Sequence, residues 1–406
     1  MHVHVTKEVA ETQSRDRGIS KTTLFVAIAL TAIVGFIGGT RSDEIIGAVG
    51  PVLGLKVETG KLDLVSVQET YQKLKANFDG KLDDKLLVEG ANRGLVAAAD
   101  DQYTIFMNAK EAADFDKDLT GDIGAGIGAE IGVKEGRPYI VRVLPDNPAE
   151  AAGLHAGDVI LFVNDESTVD WTAEKTATKI RGEEGTTVKL GVMRDKEAKE
   201  FTITRAKVNN PSVSSVIENG IGVMTITRFD EKTGDLAQHA AQSFKKAGVK
   251  GVVLDLRGNG GGYVTAAQDV AGIWLNNKVV VTERTNGKVT DELRSGRNAI
   301  LEGVPTVVVV NGGSASASEI VSGALQDHKA AKLVGDKTFG KGTVQQIMDL
   351  MNGARLKVTV GRWYTPNGKN ITKEGIQPDM SVQLTQADSE AGKDPQLDAA
   401  KAAVAQ

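Results

Sequence analysis

The chain of 406 residues contains no cysteine. That excludes disulfides, zinc–cysteine sites and a thiol nucleophile. Histidine is scarce: the five are His2, His4, His155, His239 and His328, and no H-E-x-x-H pattern occurs. Neither a metal site nor a cofactor is expected. There is no lysine- or arginine-rich tract, and the formal net charge is −5. The basic face that nucleic acid would require is therefore missing. What remains is ordinary for a globular protein, with 41% apolar and 25% charged residues. Cores can be buried, and the length predicts about two to four units.

Long apolar runs are also few, which makes the first one informative. Residues 22–40 read T-T-L-F-V-A-I-A-L-T-A-I-V-G-F-I-G-G-T, without a charge, between Lys21 and Arg41. As a helix this run rises about 28 Å, close to the hydrocarbon thickness of a bilayer. Lys7, Arg15, Arg17 and Lys21 precede it, and Asp43 and Glu44 follow. The bias predicts an uncleaved single-pass anchor in the cell membrane, with a cytoplasmic tail at 1–21 and everything after Arg41 extracytoplasmic. A cleaved signal peptide is the rival, but no A-x-A site follows. Residues 41–60 read as a linker.

Residues 61–120 predict a helical segment. Leu64, Val67, Tyr71, Leu74 and Phe78 recur at three- and four-residue steps and form one core-facing stripe. From Gly121 the pattern shifts to short strands, glycine turns and two small helices, a compact module over 121–207. Asn209-Asn210-Pro211 marks a boundary. Beyond it, apolar strands alternate with helices over 208–386, which predicts a layered α/β core built on βαβ units. A short helical tail over 387–406 closes the chain.

Two stretches of that core carry candidate chemistry. The run V-P-T-V-V-V-V, Val304 to Val310, leads directly into N-G-G-S-A-S-A-S-E, Asn311 to Glu319. A buried strand entering a helix through a serine-rich turn presents a hydroxyl where the helix N-terminus can hold an oxyanion. Ser314, Ser316 and Ser318 compete for that role. A serine needs a base. His239 and His328 sit in no telling motif, whereas Lys341 lies between two glycines in G-K-G-T-V-Q, Gly340 to Gln345. A lysine serves only when neutral, and burial lowers its pKa. Gln345, four residues on, shares a strand face with it and can hold its amine.

The compact module carries G-I-G-A at 126–129, N-P-A-E-A-A-G-L at 147–154 and G-D-V-I at 157–160. It resembles a PDZ domain. The resemblance implies that backbone N–H groups of Gly126, Ile127, Gly128 and Ala129 receive a peptide's C-terminal carboxylate, and that the peptide adds to the sheet edge. Ala129 stands where that family carries a bulky apolar residue.

Together with Asp101-Gln-Tyr-Thr, Gly124-Ala-Gly-Ile-Gly and Asp255-Leu-Arg-Gly-Asn-Gly-Gly-Gly, the order of motifs resembles the carboxy-terminal processing peptidases, PDZ-containing serine proteases. The resemblance covers about 61–400. Gln102 replaces the usual proline, and Gly260 the usual residue before the glycine pair. It implies a multidomain α/β protein with a ClpP/crotonase-like core, in which Ser316 is the nucleophile, Lys341 the general base and Gln345 its orienting partner. Backbone N–H groups of Ala317 and of Gly261 or Gly262 would form the oxyanion hole. Arg181 matches an arginine that in some members couples peptide binding to the active state. Expected partners are proteins or peptides with accessible apolar C-termini, the membrane, and a second copy of the chain through the terminal helices. The alternatives are a non-catalytic PDZ-based binding protein and an acyl-CoA enzyme of the crotonase type.

Overall fold

The computed structural model describes residues 62–405. The predicted span at 22–40, with its tail and linker, lies outside them. Among the described residues no helix is long and apolar enough to cross a membrane. The chain divides into two compact units between Asp84 and Lys85.

The first unit holds helix α1 (Val65–Asn77), which ends at the extended residue Phe78. The apolar stripe forms as its periodicity predicts, but it is not core-facing. Leu64, Val67 and Phe78 are each at least half exposed, and no residue of α1 is buried. Periodicity sets which residues share a helix face; burial requires a partner surface as well.

Helix α2 (Asp84–Ala97) crosses the division. The second unit continues with strand β1 (Ile105–Met107) and helix α3 (Ala109–Thr120). The strand corrects the all-helical reading of 61–120. A turn precedes it, held by the Asp101 carboxylate, which accepts from Tyr103 N–H at 3.2 Å and Thr104 Oγ1 at 2.6 Å. Reciprocal bonds between Asn108 and Glu111 fix the start of α3, and Gly121 in the left-handed region ends it.

The compact module is one antiparallel sheet with two helices. Its strands are β2 (Ala129–Lys134), β3 (Arg137–Val143), β4 (Val159–Val163), β5 (Thr187–Arg194) and β6 (Glu197–Thr204), paired in the order β2-β3-β4-β5-β6. Helix α4 (Pro148–Ala151) follows β3, and α5 (Ala173–Ile180) packs on β2. Ile140, Ile160, Leu190 and Val192 are fully buried between them. Each contributes about 1.5–3 kcal/mol by leaving water. Pairing of Ala125–Gly126 with Ala206–Lys207 closes the neck of the module.

Past the neck come strands β7 (Val213–Glu218) and β8 (Ile221–Ile226), helix α6 (Thr233–Ala247), β9 (Gly251–Asp255) and α7 (Val264–Ala271). A hairpin of β10 (Val279–Thr285) and β11 (Lys288–Arg294) follows, then β12 (Thr306–Val310), α8 (Ala317–Asp327) and β13 (Lys332–Gly335). Strands β14 (Thr343–Asp349) and β15 (Arg355–Tyr364) and helix α9 (Pro395–Val404) complete the unit.

Two sheets organise this region. In the first, β8, β9, β12 and β13 run parallel, with β7 antiparallel at the edge. Alternation along β12 explains its unbroken valines. Val308 and Val310 join the core containing residues of α6, α7 and α8, while Val307 and Val309 face Ala400 and Val404 of α9. A strand covered on both faces has no polar side. The second sheet is antiparallel, ordered β1-β15-β10-β11 with β14 also on β15, and Trp363 and Val344 tie it to the main core.

Candidate active site

Parallel strands β9, β12 and β13 are neighbours, so the loops leaving their carboxyl ends lie side by side. The loop after β9 is Asp255-Leu-Arg-Gly-Asn-Gly-Gly-Gly, the turn after β12 is the serine cluster, and the segment after β13 carries Lys341. Ligands of such sheets collect at this edge. The register, not the sequence, brings the three motifs together.

The three serines separate at once. Ser314 is buried and donates to the Leu256 carbonyl at 2.8 Å. Ser318 is buried and donates to the Asn259 carbonyl at 2.8 Å. Both hydroxyls hold backbone in place. Ser316 is only half-buried and lines a cavity of about 390 Å³ shared with Lys341, Gln345, Gly261 and Gly262. It precedes α8 with φ 54° and ψ −113°. A non-glycine residue held there costs on the order of 1–3 kcal/mol, and such strain collects at functional turns.

Glu319 fixes that turn, and the sequence reading gave it no role. Its carboxylate is fully buried. Oε2 accepts from the N–H groups of Ser316 and Lys341, both at 2.9 Å. Oε1 accepts from Gly340 N–H at 2.7 Å and from Thr338 Oγ1 at 2.6 Å. One side chain thus joins the serine turn to the lysine segment. The visible signal was an acid three residues after Ser316, the usual pattern of a helix cap.

Lys341 is half-buried, and burial pushes its pKa below the ordinary lysine value. The neighbouring Lys357 adds to the lowering, and Glu319 opposes it. Its Nζ lies 5.6 Å from the Tyr103 ring, so the Asp101 turn delivers an aromatic wall. No hydrogen bond joins Lys341 to Ser316 Oγ among the described residues; both face the cavity, and catalytic bonds of unliganded sites are commonly long. The histidines lie elsewhere: His239 is exposed, and His328 Nε2 meets the Val279 carbonyl at 2.7 Å.

Gln345 also lines the cavity but does not hold the lysine. Its amide donates to Thr343 Oγ1 at 2.6 Å and to Thr359 Oγ1 at 3.4 Å. The shared-face argument fails because β14 begins at Thr343, after the lysine, and a register shift falls between Val344 and Gln345. Strand alternation does not extend through either feature.

The glycine pair lies against the serine turn. A Cβ on Gly261 would stand 2.8 Å from Ser316 Cβ and 3.0 Å from Ala317 N, at φ 103°. One on Gly262, at φ 144°, would stand 2.1 Å from the Phe229 carbonyl oxygen. Only glycine fits either position. Their N–H groups differ. That of Gly261 donates to Asn259 Oδ1 at 2.9 Å, whereas that of Gly262 makes no hydrogen bond among the described residues. Ala317 is the first residue of α8, where N–H groups have no partner within the helix. The N–H groups of Ala317 and Gly262 thus have no acceptor among the described residues, as an oxyanion site would require. Asn259, fully buried, supports this wall by donating to the Ile226 carbonyl and accepting from Ala315 N–H.

In the compact module, the predicted carboxylate loop is anchored through its carbonyls. Ile127 O accepts from Ala149 N–H at 2.7 Å, and Gly128 O from Leu144 N–H at 2.9 Å. Ala129 begins β2, the strand against α5. Arg181 caps α5 and is exposed, and its Cγ lies 3.8 Å from where a Gly126 Cβ would stand.

A PDZ module joined to an α/β core whose cavity holds a serine turn defines a serine-type peptidase. Family profiles agree, with Peptidase family S41 matching residues 220–382 and the PDZ domain residues 114–193. The chain is 35% identical over 381 residues to the "Probable CtpA-like serine protease" of Staphylococcus haemolyticus, covering 93% of this chain and 76% of the relative. It is 34% identical over 383 residues to the carboxy-terminal processing protease CtpA of Bacillus subtilis, covering 93% and 79%. A solved structure, the photosystem II D1 C-terminal processing protease, superposes with a TM-score of 0.50 at 29% identity, covering 79% of this chain and 87% of the other. The chain belongs to peptidase family S41, as a C-terminal processing serine peptidase. The acyl-CoA and non-catalytic alternatives give way to this membership.

Proposed function

We propose that this peptidase is a membrane-anchored, extracytoplasmic endopeptidase that captures protein C-termini with its PDZ module and cuts peptide bonds with Ser316 and Lys341. The observation that carries the reading is the contrast among the serines. Ser316 alone of the three is partly exposed, and it shares its cavity with a lysine whose pKa burial depresses. Neutral Lys341 takes the proton as Ser316 Oγ attacks the peptide carbonyl. The oxyanion is received by the N–H groups of Ala317 and Gly262. Lys341 then returns the proton to the leaving amine, and water releases the acyl-enzyme. The N–H groups of the Ile127–Gly128 turn, without a partner among the described residues, support carboxylate capture. The position of Arg181 beside that loop supports a role in coupling the bound terminus to the active state. The apolar run at 22–40 and its flanking charges support the anchor.

Incubation with an unstructured peptide ending in apolar residues tests the mechanism. Wild type cleaves it, whereas Ser316→Ala binds it without cleavage and keeps the same circular dichroism. Equal cleavage by the variant removes Ser316 from the chemistry.

A further inference from the structure

Lys357 lines the cavity that holds Ser316 and Lys341, where it adds to the lowering of the Lys341 pKa. It is the third residue of β15, opposite Ile105 of β1 and Ile347 of β14. Ile347 and Gln345 of β14 also line the cavity, so this is the sheet face that a bound substrate would meet. The side chain is half-buried, with its ammonium 5.5 Å from the Phe115 ring.

The cations near it are already matched. Arg355 pairs with Asp116 and Asp349, and Arg228 of the cavity wall pairs with Asp230 at 2.9 Å. Lys341 is required neutral. Lys357 has no ion pair or hydrogen bond through its ammonium among the described residues, and burial alone accounts for its lowered pKa. A desolvated cation without a counter-charge gains most from an anion arriving with a ligand.

We propose that Lys357 is a specificity-determining residue that takes a carboxylate carried by the substrate segment lying in the cleavage cavity. The inference rests on the peptidase mechanism above and adds a substrate preference to it. Two sources supply this chemistry: an aspartate or glutamate side chain beside the scissile bond, or the substrate's own terminal carboxylate when cleavage falls close to the chain end.

The competing role for Lys357 is to lower the pKa of Lys341. That would change cleavage of every substrate alike, so a ratio of rates removes it. The test uses four peptides of one sequence, with glutamate or glutamine beside the cleavage site and a free or amidated C-terminus. The kcat/KM of each is measured for wild type, Lys357→Met and Lys357→Arg. Methionine keeps an unbranched stem beside Phe115. Wild type should favour the carboxylate-bearing peptide of one pair by about tenfold, the scale of one charge-assisted hydrogen bond. Lys357→Met should bring that ratio close to one, and Lys357→Arg should retain it. The pair that responds identifies the source. A preference due to capture by the PDZ module would survive in Lys357→Met. A wild-type ratio near one in both pairs, or a ratio unmoved by Lys357→Met, overturns the inference and leaves the peptidase mechanism intact. Absence of Ser316-dependent cleavage of all four removes both.

Discussion

At the residue scale the site depends on a carboxylate outside the proposed Ser–Lys chemistry. Glu319 receives four hydrogen bonds and connects the backbone of Ser316 to that of Lys341. Glu319→Gln removes the charge and places two amide hydrogens where acceptors are needed. Stability should fall by about 1.5–3 kcal/mol, measured by urea denaturation. kcat should fall while KM for a peptide substrate changes little, because the residue touches the reacting groups only through their backbone. A second expectation concerns pH. In the proposed mechanism Lys341 acts only when unprotonated, so kcat/KM should rise with pH through its pKa. Burial and Lys357 place that pKa below the ordinary lysine value of 10.5. Lys341→Ala should abolish cleavage at every pH, and Lys341→Arg should not restore it, since a guanidinium stays protonated. A pH–rate profile with its rising limb at or above the ordinary lysine value would contradict the depressed base.

At the scale of elements, the site is three loops set side by side by parallel pairing of β9, β12 and β13. Gly261 measures how close they stand. Gly261→Ala would drive a methyl group into Ser316 Cβ and Ala317 N at a φ that alanine resists. kcat should drop about 100-fold or more, the scale of a disturbed oxyanion site, as single-turnover cleavage would report. Much of this arrangement was legible in the sequence. The valine run, the serine turn and the glycine loop are local patterns with local causes, and the alternation of apolar strands with helices announced the parallel sheet. The second sheet was not legible. Strand β1 has three residues, and β14 (T-V-Q-Q-I-M-D) breaks its alternation; β15 does alternate over R-L-K-V-T-V, a signal that the sequence reading passed over. Lys357 reaches the cavity through that sheet, and the Tyr103 ring stands beside Lys341 from the turn before β1. Gln345 was placed in the site and lines the cavity, but its bonds to Thr343 and Thr359 were not foreseen, because a register shift in β14 leaves no trace in residue spacing. The exposed stripe of α1 shows the complementary limit, since a face can be read without what covers it.

At the scale of the molecule, distant parts are tied by a few specific contacts. Arg257 pairs with Asp255 at 2.7 Å and with Asp394 at 2.8 Å, locking the start of α9 to the end of β9. Burial alone would raise the Asp394 pKa, but hydrogen bonds from Arg257 hold it below the ordinary aspartate value. A carboxyl group depressed in the folded state contributes stability above the ordinary aspartate range, and that contribution is lost as pH falls through the folded value. Arg257→Met should therefore cost about 2 kcal/mol near neutral pH and less in acid, seen as a lower urea midpoint. The PDZ module and the α/β core are joined at the neck closed by Ala125–Gly126 and Ala206–Lys207.

The proposed chemistry turns on one hydroxyl out of three at alternate positions of the serine cluster. Labelling with a fluorophosphonate in the presence of a cleavable peptide, followed by peptide mapping by mass spectrometry, reads it directly. The expected adduct lies on Ser316, is absent from Ser314 and Ser318, and disappears in Lys341→Ala. An adduct on another serine, or full labelling of Ser316 in Lys341→Ala, would contradict the assignment of nucleophile and base.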